Sequence, residues 1–412
     1  MQLPNFHRAI GAVALAVTAS CSGFLEVDNP NVLDESTIDP VESATPLSFA
    51  GQQSFQSATG WLNMYGAWFT GEALVSETFP TRNEFGRRDV AAANTSFRDD
   101  VWFPLSQAAA SNHLVLELEL PEPETNIAYV RTATWLGYSF LRMAENFCEG
   151  AVYGGPLLAT QDMLDSAIAN FTTAITIGTA NASPDAVDLA NVALVGRARA
   201  YLQSGQPVLA LADAQAVPAG FEYSFQFADD PENRTRLSNR MWQFTFDRGS
   251  ISVAPAYQVD DPRVPYLAPE EHDLDAQDAN AGPFFIQQKF PSYTAPMRVA
   301  SKLEADYIAA EAQTAVEQLA LIAARRAANG QPVYAGATDA ASVLTELMRQ
   351  KHLDFWLEGQ RFGDFRRNPA NVENMPEPGT PYFKPGFPPI GSQTCYPLPT
   401  EERDNNPNIP DL

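Results

Sequence analysis

The stretch IAYVRTATWLGYSFLRMAENF, Ile127 to Phe147, is the most legible part of the chain. Val130, Ala133, Gly137, Phe140, Leu141, Ala144 and Phe147 recur every three or four positions, so a helix here carries them as one apolar stripe. A second helix is expected where Ala167, Phe171 and Ala174 repeat the spacing. The segment Cys148 to Thr160, with its Gly-rich Gly150 to Pro156, is inserted between the two. Further on, Leu194, Ala198, Tyr201, Leu202 and Gly205 are expected on a first helix, and Ala210, Ala214 and Val217 on a second, without an insertion.

Leu136-Gly137 with Phe140, followed by a small residue four positions before an aromatic, is similar to the tetratricopeptide signature of paired helices. Weaker forms occupy Arg298 to Asn329 and Ala340 to Leu357, so four helical pairs would stack as a short solenoid. Unrelated amphipathic helices of similar spacing are the alternative. Upstream, Phe55, Ala58, Leu62, Tyr65 and Phe69 predict a helix over Pro46 to Leu74, preceded by an extended segment from Phe24. Pro218 to Ser292 and Asn368 to Pro399 read as loops and short strands, with apolar alternation at Trp242 to Phe246 and Phe284 to Phe290. The expected fold is mainly α: one large domain over residues 21–412. Tetratricopeptide-like helices over about 46–217 and 298–367 form its scaffold, and 218–297 and 368–412 are loop-rich.

Composition narrows the function. The 26 Lys and Arg against 50 Asp and Glu leave a net charge of −24, so phosphate-neutralising surfaces and nucleic-acid partners are not expected. Four His and three Cys leave little for a transition-metal centre, and no metal or cofactor is expected. The apolar run Ala9 to Ala19 follows His7 and Arg8 and is too short to span a bilayer, as a secretory signal is. It ends in Thr18-Ala19-Ser20-Cys21, which resembles a bacterial lipobox, so residues 1–20 are expected to be removed and Cys21 lipidated. An ordinary secretory signal with an incidental Cys21 is the alternative. Residues 1–20 hold one Arg and no acid, so cleavage makes the balance one unit more negative. Cys148 and Cys395 then remain, as a disulfide or as two buried thiols.

Three separated motifs together resemble the SusD/RagB family of nutrient-uptake lipoproteins. The first runs from Cys21 through Asp28-Asn29-Pro30-Asn31. The second is Leu357-Glu358-Gly359-Gln360-Arg361-Phe362-Gly363-Asp364-Phe365-Arg366-Arg367, and the third Tyr396-Pro397-Leu398-Pro399 with Glu402 and Asn405-Asn406-Pro407-Asn408. His352 and Phe365 depart from the family pattern, where Glu and Leu stand, and the chain is short for the family. The resemblance implies a protein lipid-anchored in the outer membrane through Cys21 and facing outward. Such a protein captures an oligosaccharide or peptide and delivers it to a SusC-type TonB-dependent transporter barrel, with no covalent chemistry.

The residues themselves allow a narrower reading. Glu358, Asp364, Arg361, Arg366 and Arg367 suit a structural ion-pair network, because guanidinium groups pair bidentately with carboxylates and hold them ionised. No nucleophile elbow, zinc-binding helix or phosphate loop occurs in the chain. Glu270-Glu271-His272-Asp273 with Asp275, Asp278 and Asn280 is dense in oxygen ligands but lacks the EF-hand spacing, and reads as a solvated acidic loop. Trp61, Trp68, Phe79 and Arg82 are the candidate ligand residues, since sugar rings pair an apolar face with a polar rim. Trp61 and Trp68 equally fit a buried helix face. The residues leave two other functions open: a periplasmic tetratricopeptide scaffold and a secreted glycosidase or peptidase.

Overall fold

The structure is a computed structural model that describes residues 39–410; Cys21, the signal segment and the Cys21 to Asn31 motif lie outside the described residues. A compact unit begins at Ala44.

Helix α1 (Pro40–Thr70) starts earlier than its sequence pattern, inside the segment expected to be extended, because Asp39 accepts the Val41 and Glu42 N–H groups and caps it. The expected stripe from Phe55 to Phe69 is fully buried. Helices α2 (Pro80–Gly86) and α3 (Phe103–Leu116) follow. Helix α4 (Ile127–Asn146), capped by Asn126, is buried on almost every side. Two of its hydroxyls turn back on the helix: Thr134 donates to the Val130 carbonyl and Ser139 to that of Trp135, so burial leaves neither unsatisfied.

The helical repeat has a physical centre in Phe171 of α5 (Thr160–Asn181). A Cβ on Gly137 of α4 would lie 2.7 Å from the Phe171 ring, and one on Gly196 of α6 (Pro184–Gln203) 2.5 Å from it. Glycine on both flanking helices is therefore what admits the ring. This revises the register expected for the second copy. Val195 and Gly196 take the places of Leu136 and Gly137, Leu194 and Tyr201 are half-buried, and Gly205 lies exposed in the turn before α7 (Pro207–Ala216). Ala210, Ala214 and Val217 are buried as expected.

Helices α8 (Lys302–Glu311), α9 (Ala315–Ala328) and α10 (Ala340–Asp354) close a smaller core on Tyr307, Ile322, Val343, Leu347 and Phe355. The helix expected from Arg298 begins instead at Lys302. The preceding residues form a strand, and Ser301 caps α8 by accepting the Glu304 N–H. The strands are short and pair antiparallel in twos. They are β1 (Ala73–Val75), β2 (Glu149–Gly150), β3 (Leu158–Ala159), β4 (Glu222–Phe225), β5 (Ile251–Val253), β6 (Tyr266–Leu267), β7 (Ile286–Gln287) and β8 (Met297–Ser301). β1 pairs with β5, β2 with β3, β4 with β8 and β6 with β7.

The ion-pair motif divides into two groups instead of forming the single network expected. Asp364, on α11 (Arg361–Arg367), accepts from Lys351 Nζ at 2.7 Å, Arg367 Nη2 at 2.8 Å and His352 Nε2 at 3.2 Å. Arg367 also grips Glu311 with two bonds. Glu358 is engaged elsewhere, by Lys289 at 2.7 Å and Arg298 at 2.9 Å. Arg361 and Arg366 bond mainly backbone carbonyls: Arg361 those of Thr70 and Glu373, Arg366 those of Ala144 and Phe147. These arginines stitch helix ends to loops.

The C-terminal motif is equally structural. Tyr396 sits among the rings of Phe69, Phe85, Phe97, Phe147 and Phe362, with centroids 5.0–5.7 Å away. It exchanges backbone bonds with Asn146 and Cys148, and a disulfide joins Cys148 to Cys395. Beyond α12 (Thr400–Asn405), Asn406 and Asn408 donate to the carbonyls of Gly155 and Gly154 in the Gly-rich insertion.

Candidate ligand-binding site

Three of the four expected ligand residues converge on a ring that the sequence pattern did not single out. Phe244 lies in a π-helical turn (Gln243–Asp247) that continues the short helix Arg240–Trp242. Trp61 meets it edge to face at 5.3 Å. The Arg82 guanidinium lies 5.1 Å from both the Phe244 and the Phe79 ring centroids, between the two. Arg248 stands 4.7 Å from Phe244, and Arg240 lies over Trp61 at 4.1 Å. Trp242 extends the surface, stacked on Phe246 at 5.2 Å and against Tyr293 at 3.8 Å.

Asn239 sets this geometry. Its side chain accepts the Trp242 N–H, capping the turn, and donates to the Ala295 carbonyl, while its own N–H bonds the Tyr293 carbonyl. The 293–295 loop is thereby fixed against the helical turn, and the Tyr293 hydroxyl donates to Asp247 at 2.6 Å. Trp61, Trp242, Phe246 and Tyr293 are half-buried, and Phe79 is 43% exposed. The result is a shallow platform of ring faces edged by guanidinium groups.

Arg82 supports the platform and does not face outward. It is buried, its Nη1 donates to both Glu77 oxygens at 3.0 Å, Nη2 to Asp100 at 3.1 Å and Nε to the Tyr65 hydroxyl at 2.9 Å. Burial alone would lower its pKa, but Tyr65, Glu77 and Asp100 outweigh it and hold the group above its ordinary value. Arg240 shows the opposite balance. Burial, with Arg248 and Arg82 nearby, brings its pKa down to about 10, still charged at neutral pH.

Trp68 does not join the platform. It is 1% exposed and packs edge to face on Tyr65 at 5.0 Å. Trp242, Phe244, Phe246, Arg240 and Arg248 escaped the sequence reading because aromatics at 242, 244 and 246 alternate as a strand would. In the helical turn, 242 and 246 become stacked neighbours one turn apart. Among the described residues, no group of three or more His, Cys, Asp or Glu could hold a metal ion, and no helix is long and apolar enough to cross a membrane. The Glu270 to Asn280 loop instead borders a cavity of about 830 Å³, where Asp278 pairs with Lys384.

No protein-family model and no curated protein matches the chain. Solved structures do. A laminarin-binding SusD-like protein matches with a TM-score of 0.66 at 14% identity, over 90% of this chain and 98% of its own. A SusD-like carbohydrate-binding protein from Bacteroides vulgatus matches at 0.64 and 14% identity, over 89% and 98%. A chitin-binding SusD homolog from Flavobacterium johnsoniae matches at 0.60 and 13% identity, over 84% and 89%. The helical pairs around Phe171, the paired short strands and the loop-borne platform thus lie on an architecture shared with these proteins over most of its length: the chain has the SusD-like fold.

Proposed function

We propose that the protein is a nutrient-binding lipoprotein of the outer membrane, anchored through Cys21, that captures a neutral oligosaccharide and hands it to a SusC-type TonB-dependent transporter. The observation that carries the reading is the platform itself: Trp242, Phe246, Tyr293, Trp61 and Phe79 offer ring faces beside exposed Arg248. Sugars present a C–H face and a rim of hydroxyls, which stacking rings and guanidinium donors match. The laminarin- and chitin-binding proteins among the structural neighbours support glycan over peptide.

Binding is tested by calorimetry with laminari- and chito-oligosaccharides and with peptides of similar length. Saturable binding of an oligosaccharide is expected, weakened at least tenfold by Trp242→Ala, which corresponds to about 1.4 kcal/mol. Failure of every oligosaccharide to bind, or an unchanged Kd in Trp242→Ala, overturns the reading. For the anchor and the partner, labelled palmitate should enter the wild type and not Cys21→Ser, and a mild-detergent pull-down should recover a large barrel protein.

A further inference from the structure

The face of α1 that brings Trp61 to the platform continues toward the helix N-terminus. Ala50, Gln53, Ser54, Ser57 and Trp61 fall at the i, i+3, i+4, i+7, i+11 spacing of one helix face. Trp61 stands one turn beyond Ser57, about 6 Å along the axis. Gly51 and Tyr65 lie to one side of this face, where α3 runs antiparallel: Asn112 donates to the Gly51 carbonyl at 3.1 Å, and Asp100, just before α3, accepts from Tyr65. Gln53 and Gly60 lie to the other side, where the segment 236–240 passes. There Gln53 donates to the Arg236 carbonyl at 3.3 Å, a Cβ on Gly60 would lie 3.1 Å from the Arg240 Cβ, and Arg240 covers Trp61.

Between these two walls is a cavity of about 250 Å³, with Gln53, Ser54 and Ser57 on its floor and Gln107 and Arg236 at its sides. It is smaller than the roughly 300–1,000 Å³ of sites that enclose a whole small molecule, so it suits one part of a longer ligand. Its chemistry fits a hydroxyl-rich chain. Serine hydroxyls and glutamine amides both donate and accept, and Arg236 donates. No carboxylate lines it, in a chain with 50 Asp and Glu. Where Thr134 and Ser139 of α4 turn their hydroxyls back on the helix, Ser54 and Ser57 bond no protein atom among the described residues, and neither do the Gln107 amide and the Arg236 guanidinium. These groups are free to meet a ligand from both walls and the floor at once.

We propose, resting on the oligosaccharide reading of the platform, that this groove is its continuation: one oligosaccharide stacks a sugar unit on the rings around Trp61 and lays its next units along α1, where their hydroxyls bond Ser54, Ser57, Gln107 and Arg236. Stacking holds the chain at one end and hydrogen bonds hold it at the other. Only units beyond the platform reach the groove, so the site selects long chains over short ones.

Calorimetry of the full chain with laminari- and chito-oligosaccharides from disaccharide to heptasaccharide tests this. In the series that binds, affinity should rise at least tenfold from the shortest to the longest. Ser57→Leu combined with Gln107→Leu, at half-buried and exposed positions, fills the groove and removes its hydrogen-bonding groups. With an unchanged circular dichroism spectrum, it should weaken the heptasaccharide at least tenfold and leave the disaccharide unaltered. Arg236→Ala, at an exposed position outside the helices of the groove, should weaken the heptasaccharide several-fold. Trp242→Ala, on the platform, should weaken both lengths. A heptasaccharide that depends on Trp242 yet binds the wild type and the groove variants equally overturns the groove and leaves the platform reading standing, as does equal affinity for the two lengths. Binding of no oligosaccharide overturns the platform reading, and the groove with it.

Discussion

His352 and Glu72 are buried titratable groups shifted in opposite directions. Burial first, and the Arg361 charge with it, push the His352 pKa down to about 4 from an ordinary 6.5; its Nδ1 accepts from Arg361 and its Nε2 donates to Asp364. The unfolded chain therefore takes up this proton as pH falls below 6.5, while the native chain refuses it until about 4. Stability present above pH 6.5 is lost across that window, about 3 kcal/mol. Glu72, raised by burial to about 6 from 4.5, contributes its stability below pH 4.5 and loses it as pH rises through 6, about 2 kcal/mol. Urea denaturation checks both. The advantage of wild type over His352→Gln should shrink between pH 7 and pH 4, and Glu72→Gln should gain on wild type from pH 4.5 to pH 7. His352 was visible in the sequence as a departure from the family pattern. Its burial was not, because a motif residue looks the same whether it faces water or an aspartate.

At the scale of elements, the helices with one continuous stripe were legible: α1 and α4 bury the residues their spacing marks. The second helical pair was read one residue out of register because α6 is rich in Ala and Val, which leaves several faces almost equally apolar. Only the contact of Phe171 with Gly196 decides between them. Phe171→Ala empties the space between two glycine-bearing helices that have no side chain to fill it. It should cost about 3–5 kcal/mol, read as a lowered urea midpoint, with Phe171→Leu costing less. The platform was half legible. Trp61, Phe79 and Arg82 lie on or just after a readable helix, but the turn that gathers them is set by the Asn239 cap and a π-helical geometry with no two-residue period.

Over the whole molecule, the fold class came through because repeat helices are local in sequence. The platform did not, since it joins residues some 200 positions apart. The Cys148–Cys395 bond operates at the same range, linking positions 247 residues apart. On a chain-entropy estimate its loss costs about 5 kcal/mol, so Cys148→Ser should show a lowered melting temperature on the non-reducing scale where wild type is intact.

That bond also makes most of the chain a covalent ring. The exposed loop between α9 and α10, with Val333 86% accessible, is an inviting place for a protease. A cut there opens the ring without releasing either piece: the nicked protein should run as one band without reductant and as two with it. With the proposed anchor at Cys21, the short C-terminal piece beyond the cut, ending at residue 412, would then stay tethered after cleavage.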